Sequence, residues 1–171
     1  MTDHLLKETV DHIDFTKFNV TPMVDQMRST SFTSREIYNA CQLYKTMLED
    51  SNLTIILTIA GSTQAAGCLQ LYRDLVKYNM VDIIVATGAS IAEDGLKLVD
   101  SYIAEFANKH CAVKPQSSRE FLNELGFLER TNASLVQECF KQDVPIFCPA
   151  LNDSAAGIGL MMHQTDNPTD H

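Results

Sequence analysis

Short runs of small polar residues follow three apolar segments of this chain, and their residue types could support chemistry. Ala60-Gly61-Ser62-Thr63 follows the first segment, Thr87-Gly88-Ala89 the second and Asn152-Asp153-Ser154 the third. Small residues let a ligand approach the backbone, and amides at the start of a following helix can bind a pyrophosphate. The runs therefore indicate a nucleotide site, although neither usual phosphate-loop motif, GxGxxG or GxxxxGKS/T, is present.

Two acids near these runs each allow two interpretations. Glu93 could accept hydrogen bonds from ribose hydroxyls or pair with a substrate amine, but Ser90-Ile91-Ala92-Glu93 is also a helix capping box. Asp153 precedes Ser-Ala-Ala, so it could bind a ligand or cap a helix. At both positions the two roles can coexist.

The other reactive side chains form no recognisable catalytic pattern. His163 could be a general base, but a lone histidine beside methionines is more often structural. The remaining histidines and the five cysteines have no metal-ligand spacing, so we predict no metal site. No GxSxG segment supports a serine nucleophile.

Composition limits the class of protein. The chain has 171 residues, is 45% hydrophobic and carries a net charge of -9, which fits one acidic domain and argues against a nucleic-acid partner. The acidity could favour a cationic ligand or simply keep the protein soluble. An odd number of cysteines without CxxC spacing is typical of reduced thiols, and no segment is long and apolar enough to span a membrane. We therefore expect a cytoplasmic protein.

The segments that must position the polar runs alternate between strand and helix. Strands are predicted over residues 53–60, 81–87 and 144–148, with helices between them. Further helix starts are predicted at Thr21-Pro22, at capping boxes beginning with Thr33 and Ser117, and at Asn132, and Asn79 is a predicted helix stop.

This alternation predicts an α/β fold with a parallel sheet covered by helices on both faces. The strands' carboxyl ends should bring the loops 60–64, 87–93 and 152–154 to one edge. We expect an amino-terminal arm over 1–20, a single domain over 21–164 and a frayed tail over 165–171.

Four collinear segments resemble the deoxyhypusine synthase family, especially its bacterial deoxyhypusine-synthase-like branch. They read LTIAGSTQAAG, LVKYNMVDIIVATGAS, SSREF and VPIFCPALNDSAAGIGLMMHQ, and the similarity covers roughly residues 20–164. The resemblance implies a Rossmann-like parallel sheet with NAD bound at the strand ends. It also implies an enzyme that is usually a homotetramer with active sites at subunit interfaces.

In that family, NAD takes a hydride from spermidine, and an enzyme lysine then carries the aminobutyl group as an imine. The acceptor amine is a lysine of the hypusine-containing translation factor, giving deoxyhypusine, or putrescine, giving homospermidine. By motif matching, the resemblance assigns cofactor contacts to Ala60, Gly61, Ser62, Thr63, Thr87, Gly88, Ala89, Glu93 and Asp153.

This chain departs from the family pattern in three ways. Ile158 stands where true synthases have a substrate-binding carboxylate, and a segment present in relatives is missing between about Lys97 and Ile103. No lysine falls on the imine-forming motif, which belongs to the family's carboxyl-terminal half, so no catalytic residue is assigned. The hypotheses are therefore an NAD-dependent aminobutyl transferase, a non-catalytic NAD-binding subunit that pairs with a full-length relative, and an unrelated nucleotide-binding protein.

Overall fold

The computed structural model describes residues 11–95, 117–128 and 134–154, together with Gly157 and Thr165. The chain divides into two compact units, one formed by Asp14–Ile55 and the other chiefly by the residues from Ile56 onwards. In the part of the chain that is described, no helix combines the length and the apolar character needed to cross a bilayer.

The unit Asp14–Ile55 is helical. It contains a 3-10 turn at Phe15–Lys17, helix α1 at Thr21–Met27 and helix α2 at Phe32–Glu49, and α1 packs against α2. The start of α1 at Thr21-Pro22 is confirmed.

The capping box predicted at Thr33 is wrong, because α2 begins one residue earlier, after Ser31. No side chain caps the amides of this end. Arg35 instead ties the helix to the residues before it, since its Nε donates to the Thr30 carbonyl oxygen at 2.8 Å and its Nη2 to Ser31 Oγ at 3.3 Å.

Among the residues that the structure describes, a parallel sheet of three strands organises the second unit. Its strands are β1 at Ile56–Ile59, β2 at Ile83–Ala86 and β3 at Ile146–Phe147, in the order β1-β2-β3. Ile56 pairs with Ile83, and Ile84 pairs with Ile146. The α/β class and the parallel sheet are therefore confirmed. The strands are shorter than predicted, because only four residues of β1 pair with β2.

Helices connect and flank these strands. A π-turn at Gln64–Cys68 leads into α3 at Leu69–Lys77, and α4 occupies Gly88–Gly95 after β2. Helices α5 at Ser118–Leu128 and α6 at Leu135–Lys141 precede β3.

The ends of these helices follow local chemistry. Asn79 stops α3 as predicted, with a φ of 54° and with the amides of Asn79 and Met80 bonded to the carbonyls of Val76 and Leu75. Ser117 Oγ accepts from the Glu120 amide at 3.2 Å, so the predicted start of α5 is confirmed.

The start of α6 differs from the prediction. Its cap is Ser134, which accepts from the Gln137 amide, and not Asn132, which lies outside the described residues.

The core is formed where α3, α5 and α6 pack with the sheet. Ile84, Val76, Leu122 and Leu135 are fully buried there. Gly126 lets α5 approach α6 closely, because a Cβ at this position would lie 2.7 Å from the Val136 carbonyl oxygen. This packing holds β2 and β3 as a rigid base for the loops that follow them.

Candidate functional site

The carboxyl ends of β1 and β2 are joined by hydrogen bonds between the loops that follow them. The Thr87 amide donates to the Ile59 carbonyl oxygen at 3.0 Å, and Ser90 Oγ donates to the Gly61 carbonyl oxygen, also at 3.0 Å. Ser90 has no exposed surface, and its Oγ lies 3.2 Å from Thr87 Oγ1. The buried Ser90 hydroxyl therefore links the first loop to the second.

The second loop also contacts the third. A Cβ built at Gly88 would overlap Ser154 Cβ and would lie 3.3 Å from the Ala150 carbonyl oxygen. Ser154 is itself buried. The three loops thus meet as the parallel topology predicts, and we call this place, formed by residues 60–63, 87–90 and 150–154, the carboxyl edge.

A second hydroxyl contact supports the first loop from α3. Tyr72 lies on α3, and its hydroxyl donates to Thr63 Oγ1 at 2.9 Å. Together with the bond from Ser90 to Gly61, this contact holds the first loop at two points.

Backbone donors and open space suit the carboxyl edge to an anionic ligand. The first helical bond of α4 runs from the Ile91 amide to the Thr87 carbonyl, so the amides of Gly88, Ala89 and Ser90 have no acceptor within the helix. The positive end of the helix dipole lies at the same place. Gly61 has a φ of 76°, and no atom lies within 4 Å of where its Cβ would be. A dinucleotide's pyrophosphate therefore fits these residues.

The capping interpretation of Ser90 and Glu93 is wrong. Helix α4 begins at Gly88, so Ser90 lies inside its first turn, and its hydroxyl is bonded to Gly61 rather than to an amide of α4. Glu93 belongs to α4, but its side chain lies outside the part of the structure that is described.

Asp153 is not the helix cap of the third loop. It ends a 3-10 turn at Leu151–Asp153, and Ser154 Oγ instead accepts from the Gly157 amide at 3.2 Å. Asp153 is exposed. Its carboxylate is therefore available for a ligand at the carboxyl edge.

Cys148 directly follows β3, and its environment does not activate its thiol. Burial raises the pKa of its thiol, and only 1% of the residue is exposed. Its amide donates to Ser118 Oγ at 3.3 Å, which ties β3 to the start of α5. Among the described residues, no group of three or more histidines, cysteines or acids could hold a metal ion.

Two of the described lysines lie on the sheet unit, and both are away from the carboxyl edge. Lys77 ends α3 and Lys141 ends α6, so each lies where the chain is about to enter a strand rather than where it leaves one. Lys77 Nζ lies over the Tyr78 ring, and Lys141 Nζ donates to Gln137 Oε1. Ile158, His163 and the lysines at 97, 109 and 114 lie outside the described residues.

Sequence reasoning identified the three loops but missed the side chains that join them. Ser90 and Ser154 lie in the predicted loops 87–93 and 152–154 but were given no contact, and Tyr72 was not assigned to the site. For Ser90, the available signal was a hydroxyl two residues after Gly88 in a loop of otherwise small residues.

Comparison with known proteins identifies what this architecture resembles. A family model described as deoxyhypusine synthase matches residues 22–114 and 95–171. The deoxyhypusine synthase-like protein of Coxiella burnetii (strain RSA 493 / Nine Mile phase I) is 42% identical over 214 positions, which cover 100% of this chain and 60% of that protein. The protein of the same description from Caulobacter vibrioides is 36% identical, over 95% of this chain and 56% of its own length.

A solved structure shares the fold. The crystal structure of a deoxyhypusine synthase candidate from Entamoeba histolytica superimposes with a TM-score of 0.74 at 20% identity, covering 94% of this chain and 69% of that one. The chain thus spans less than two thirds of the length of the curated relatives above.

The alignment also shows a length difference within the matched region. The 214 aligned positions exceed the 171 residues of this chain, so the Coxiella relative has residues at positions where this chain has none. The family model matches this chain in two stretches that overlap at residues 95–114. A segment missing from this chain near Lys97 would divide the match in this way.

Proposed function

The chain belongs to the deoxyhypusine synthase family, and from this membership we propose that it forms the NAD-binding part of a transferase. That transferase moves the aminobutyl group of spermidine to an acceptor amine. The acceptor is a protein lysine, giving deoxyhypusine, or putrescine, giving homospermidine. The hypothesis of an unrelated nucleotide-binding protein is wrong, because the family model matches most of the chain.

The observation that carries the proposal is the joining of the three loops at the carboxyl edge. Ser90 bonds to Gly61, and Gly88 packs on Ser154, so residues distant in sequence form one surface. Ligands of open α/β sheets bind beside the carboxyl ends of the strands. This rule supports the carboxyl edge as the surface at which a dinucleotide would bind.

The residues present fit NAD. The first-turn amides of α4 would hold the pyrophosphate, and the open side of Gly61 would let the ligand lie against the backbone. The carboxylates of Asp153 and Glu93 would accept hydrogen bonds from ribose hydroxyls. When bound, NAD supplies a temporary store for the hydride.

The chain's own contribution to the reaction is orientation. Ser90 and Tyr72 fix the first loop, so the loop loses little further freedom when a ligand binds. The net charge of -9 favours the approach of a polyamine cation, and the exposed Asp153 adds a carboxylate at the carboxyl edge.

A non-catalytic role is the second candidate, and one observation favours it. Lys77 and Lys141 lie away from the carboxyl edge and are engaged with Tyr78 and Gln137. An imine-forming lysine must then come from another part of the polypeptide or from a second chain. In the second candidate, this chain binds NAD and pairs with a full-length relative in a hetero-oligomer.

Two measurements test these functions. Calorimetric titration with NAD should show saturable binding that Asp153→Asn weakens, and absence of binding by the wild-type chain would contradict both candidates. The chain is then incubated with NAD, spermidine and putrescine, with and without a full-length relative, and products are measured by mass spectrometry. Homospermidine or 1,3-diaminopropane formed by the chain alone supports the transferase, whereas products that require the relative support the paired subunit.

A further inference from the structure

A buried glutamine without hydrogen-bond partners lies directly behind the first loop of the carboxyl edge. Gln64 is only 2% exposed, and within the described structure neither its Nε2 nor its Oε1 has a partner. It follows Thr63 in sequence and begins the π-turn Gln64–Cys68. The carboxamide therefore lies next to the site in sequence and is unsatisfied within the described residues.

An unsatisfied buried carboxamide is unfavourable, because it loses its hydrogen bonds to water and gains none in return. The chain offers an internal comparison. Gln137 on α6 is also buried, but its Oε1 accepts from Lys141 Nζ at 2.8 Å. Gln137 shows that this fold can supply a partner to a buried carboxamide. Because no partner reaches Gln64 among the described residues, a bound ligand is the partner that we consider.

The π-turn that contains Gln64 can shift while Ser90 and Tyr72 hold the first loop before it. Two glycines with positive φ flank it, Gly61 at 76° and Gly67 at 102°. A π-turn contains one residue more than an α-turn, and moving that residue into the adjacent loop turns a side chain by about 100° around the helix axis. The π-turn also packs against α4, whose first turn lies at the carboxyl edge. A small local shift can therefore bring the carboxamide to the ligand.

We propose that Gln64 is a specificity-determining residue whose carboxamide pairs with a donor and an acceptor that lie side by side on the ligand. A glutamine side chain presents both a donor and an acceptor, and it recognises groups of that kind in two parallel hydrogen bonds. This inference rests on the proposed function for the identity of the ligand. NAD carries two groups of the required chemistry, the amino-substituted edge of adenine and the carboxamide of nicotinamide.

The test compares Gln64→Met with Gln137→Met by thermal unfolding and by calorimetric titration with NAD. Methionine keeps a similar shape without the amide. Gln64→Met should raise the Tm of the free protein by about 2–4 °C, since an unsatisfied group is removed, and should weaken NAD binding about tenfold or more. Gln137→Met should lower the Tm and leave the affinity for NAD unchanged, because it removes a satisfied amide away from the carboxyl edge.

Two analogues identify the group that Gln64 recognises. Nicotinic acid adenine dinucleotide lacks the carboxamide, and nicotinamide hypoxanthine dinucleotide lacks the adenine amino group. The difference in affinity between wild type and Gln64→Met should disappear with one analogue and persist with the other.

Three results would overturn the inference. The first is equal affinity of the wild type and Gln64→Met for NAD, and the second is a difference in affinity that persists with both analogues. The third is a lower Tm for ligand-free Gln64→Met, which would mean that bound water already satisfies the amide. Failure of the wild-type chain to bind NAD would instead overturn the proposed function together with this inference.

Discussion

Replacing Ser90 by alanine removes the hydroxyl that, in the described structure, joins the first loop to the second. Ser90 has no exposed surface, its Oγ donates to the Gly61 carbonyl at 3.0 Å, and Thr87 Oγ1 lies 3.2 Å from it. The substitution removes the side-chain donor to the Gly61 carbonyl, and the loss of one such hydrogen bond costs about 0.5–1.5 kcal/mol of unfolding free energy. At the middle of that range, the Tm should fall by about 2–4 °C.

The effect on ligand binding separates this role from a merely structural one. With the hydroxyl absent, the first loop must be ordered when NAD binds, so the affinity for NAD should fall as well. Ser134→Ala is the matched control, because Ser134 is also buried and its hydroxyl accepts from the Gln137 amide at 3.2 Å, but it caps α6. Removing such a cap costs about 0.5–2 kcal/mol.

Urea denaturation and calorimetric titration with NAD measure the two quantities. Ser90→Ala should lower both the unfolding free energy and the affinity for NAD, whereas Ser134→Ala should lower only the unfolding free energy. The reasoning would be refuted if Ser90→Ala unfolded like the wild type, or if both variants lost the same affinity.

Three other substitutions or conditions should give measurable effects. Gly88→Ala should force the second and third loops apart at Ser154 and reduce NAD binding in a calorimetric titration, with the wild type as reference. Gly126→Ala should lower the unfolding free energy by about 1–3 kcal/mol through a clash with the Val136 carbonyl, without changing NAD affinity. The buried Cys148 should resist thiol reagents until the chain unfolds. Folding raises the pKa of the Cys148 thiol above its ordinary value of 9.0. The contribution of the neutral thiol to stability is therefore complete below pH 9.0 and is lost as the pH rises through the pKa of the folded state. Urea denaturation at increasing alkaline pH should show a falling unfolding free energy.

Local pattern was sufficient to predict the sheet and its edge. The β-branched runs around Ile56 and Ile83 have no helical period, and the alternation of strands with helices leaves a parallel sheet as the simple arrangement. Asn79 could be identified as a helix stop because its side chain tolerates a positive φ.

Capping residues were harder to predict, because several hydroxyls and acids compete at each helix start. Ser90 could cap a helix by sequence, yet α4 begins two residues earlier and the hydroxyl bonds to a carbonyl 29 positions away in the chain. In the third loop, the 3-10 turn ends at Asp153, so Ser154 is the first residue after it. The Gly157 amide therefore donates to Ser154 rather than to Asp153. Such choices depend on tertiary contacts that a short pattern does not contain.

The unsatisfied amide of Gln64 could not have been predicted from the sequence. A glutamine after a loop is ordinarily solvent-exposed, and only the π-turn buries this one. The π-turn in turn depends on Gly67 adopting a φ of 102°.

Hydrogen–deuterium exchange with and without NAD tests the central claim most directly, because it reports where on the chain the dinucleotide binds. The account predicts slower exchange of backbone amides in residues 60–63, 87–90 and 150–154 when NAD is present, with α1 and α2 unchanged. Unaltered exchange throughout the chain at saturating NAD, or protection confined to residues outside these three loops, would contradict it.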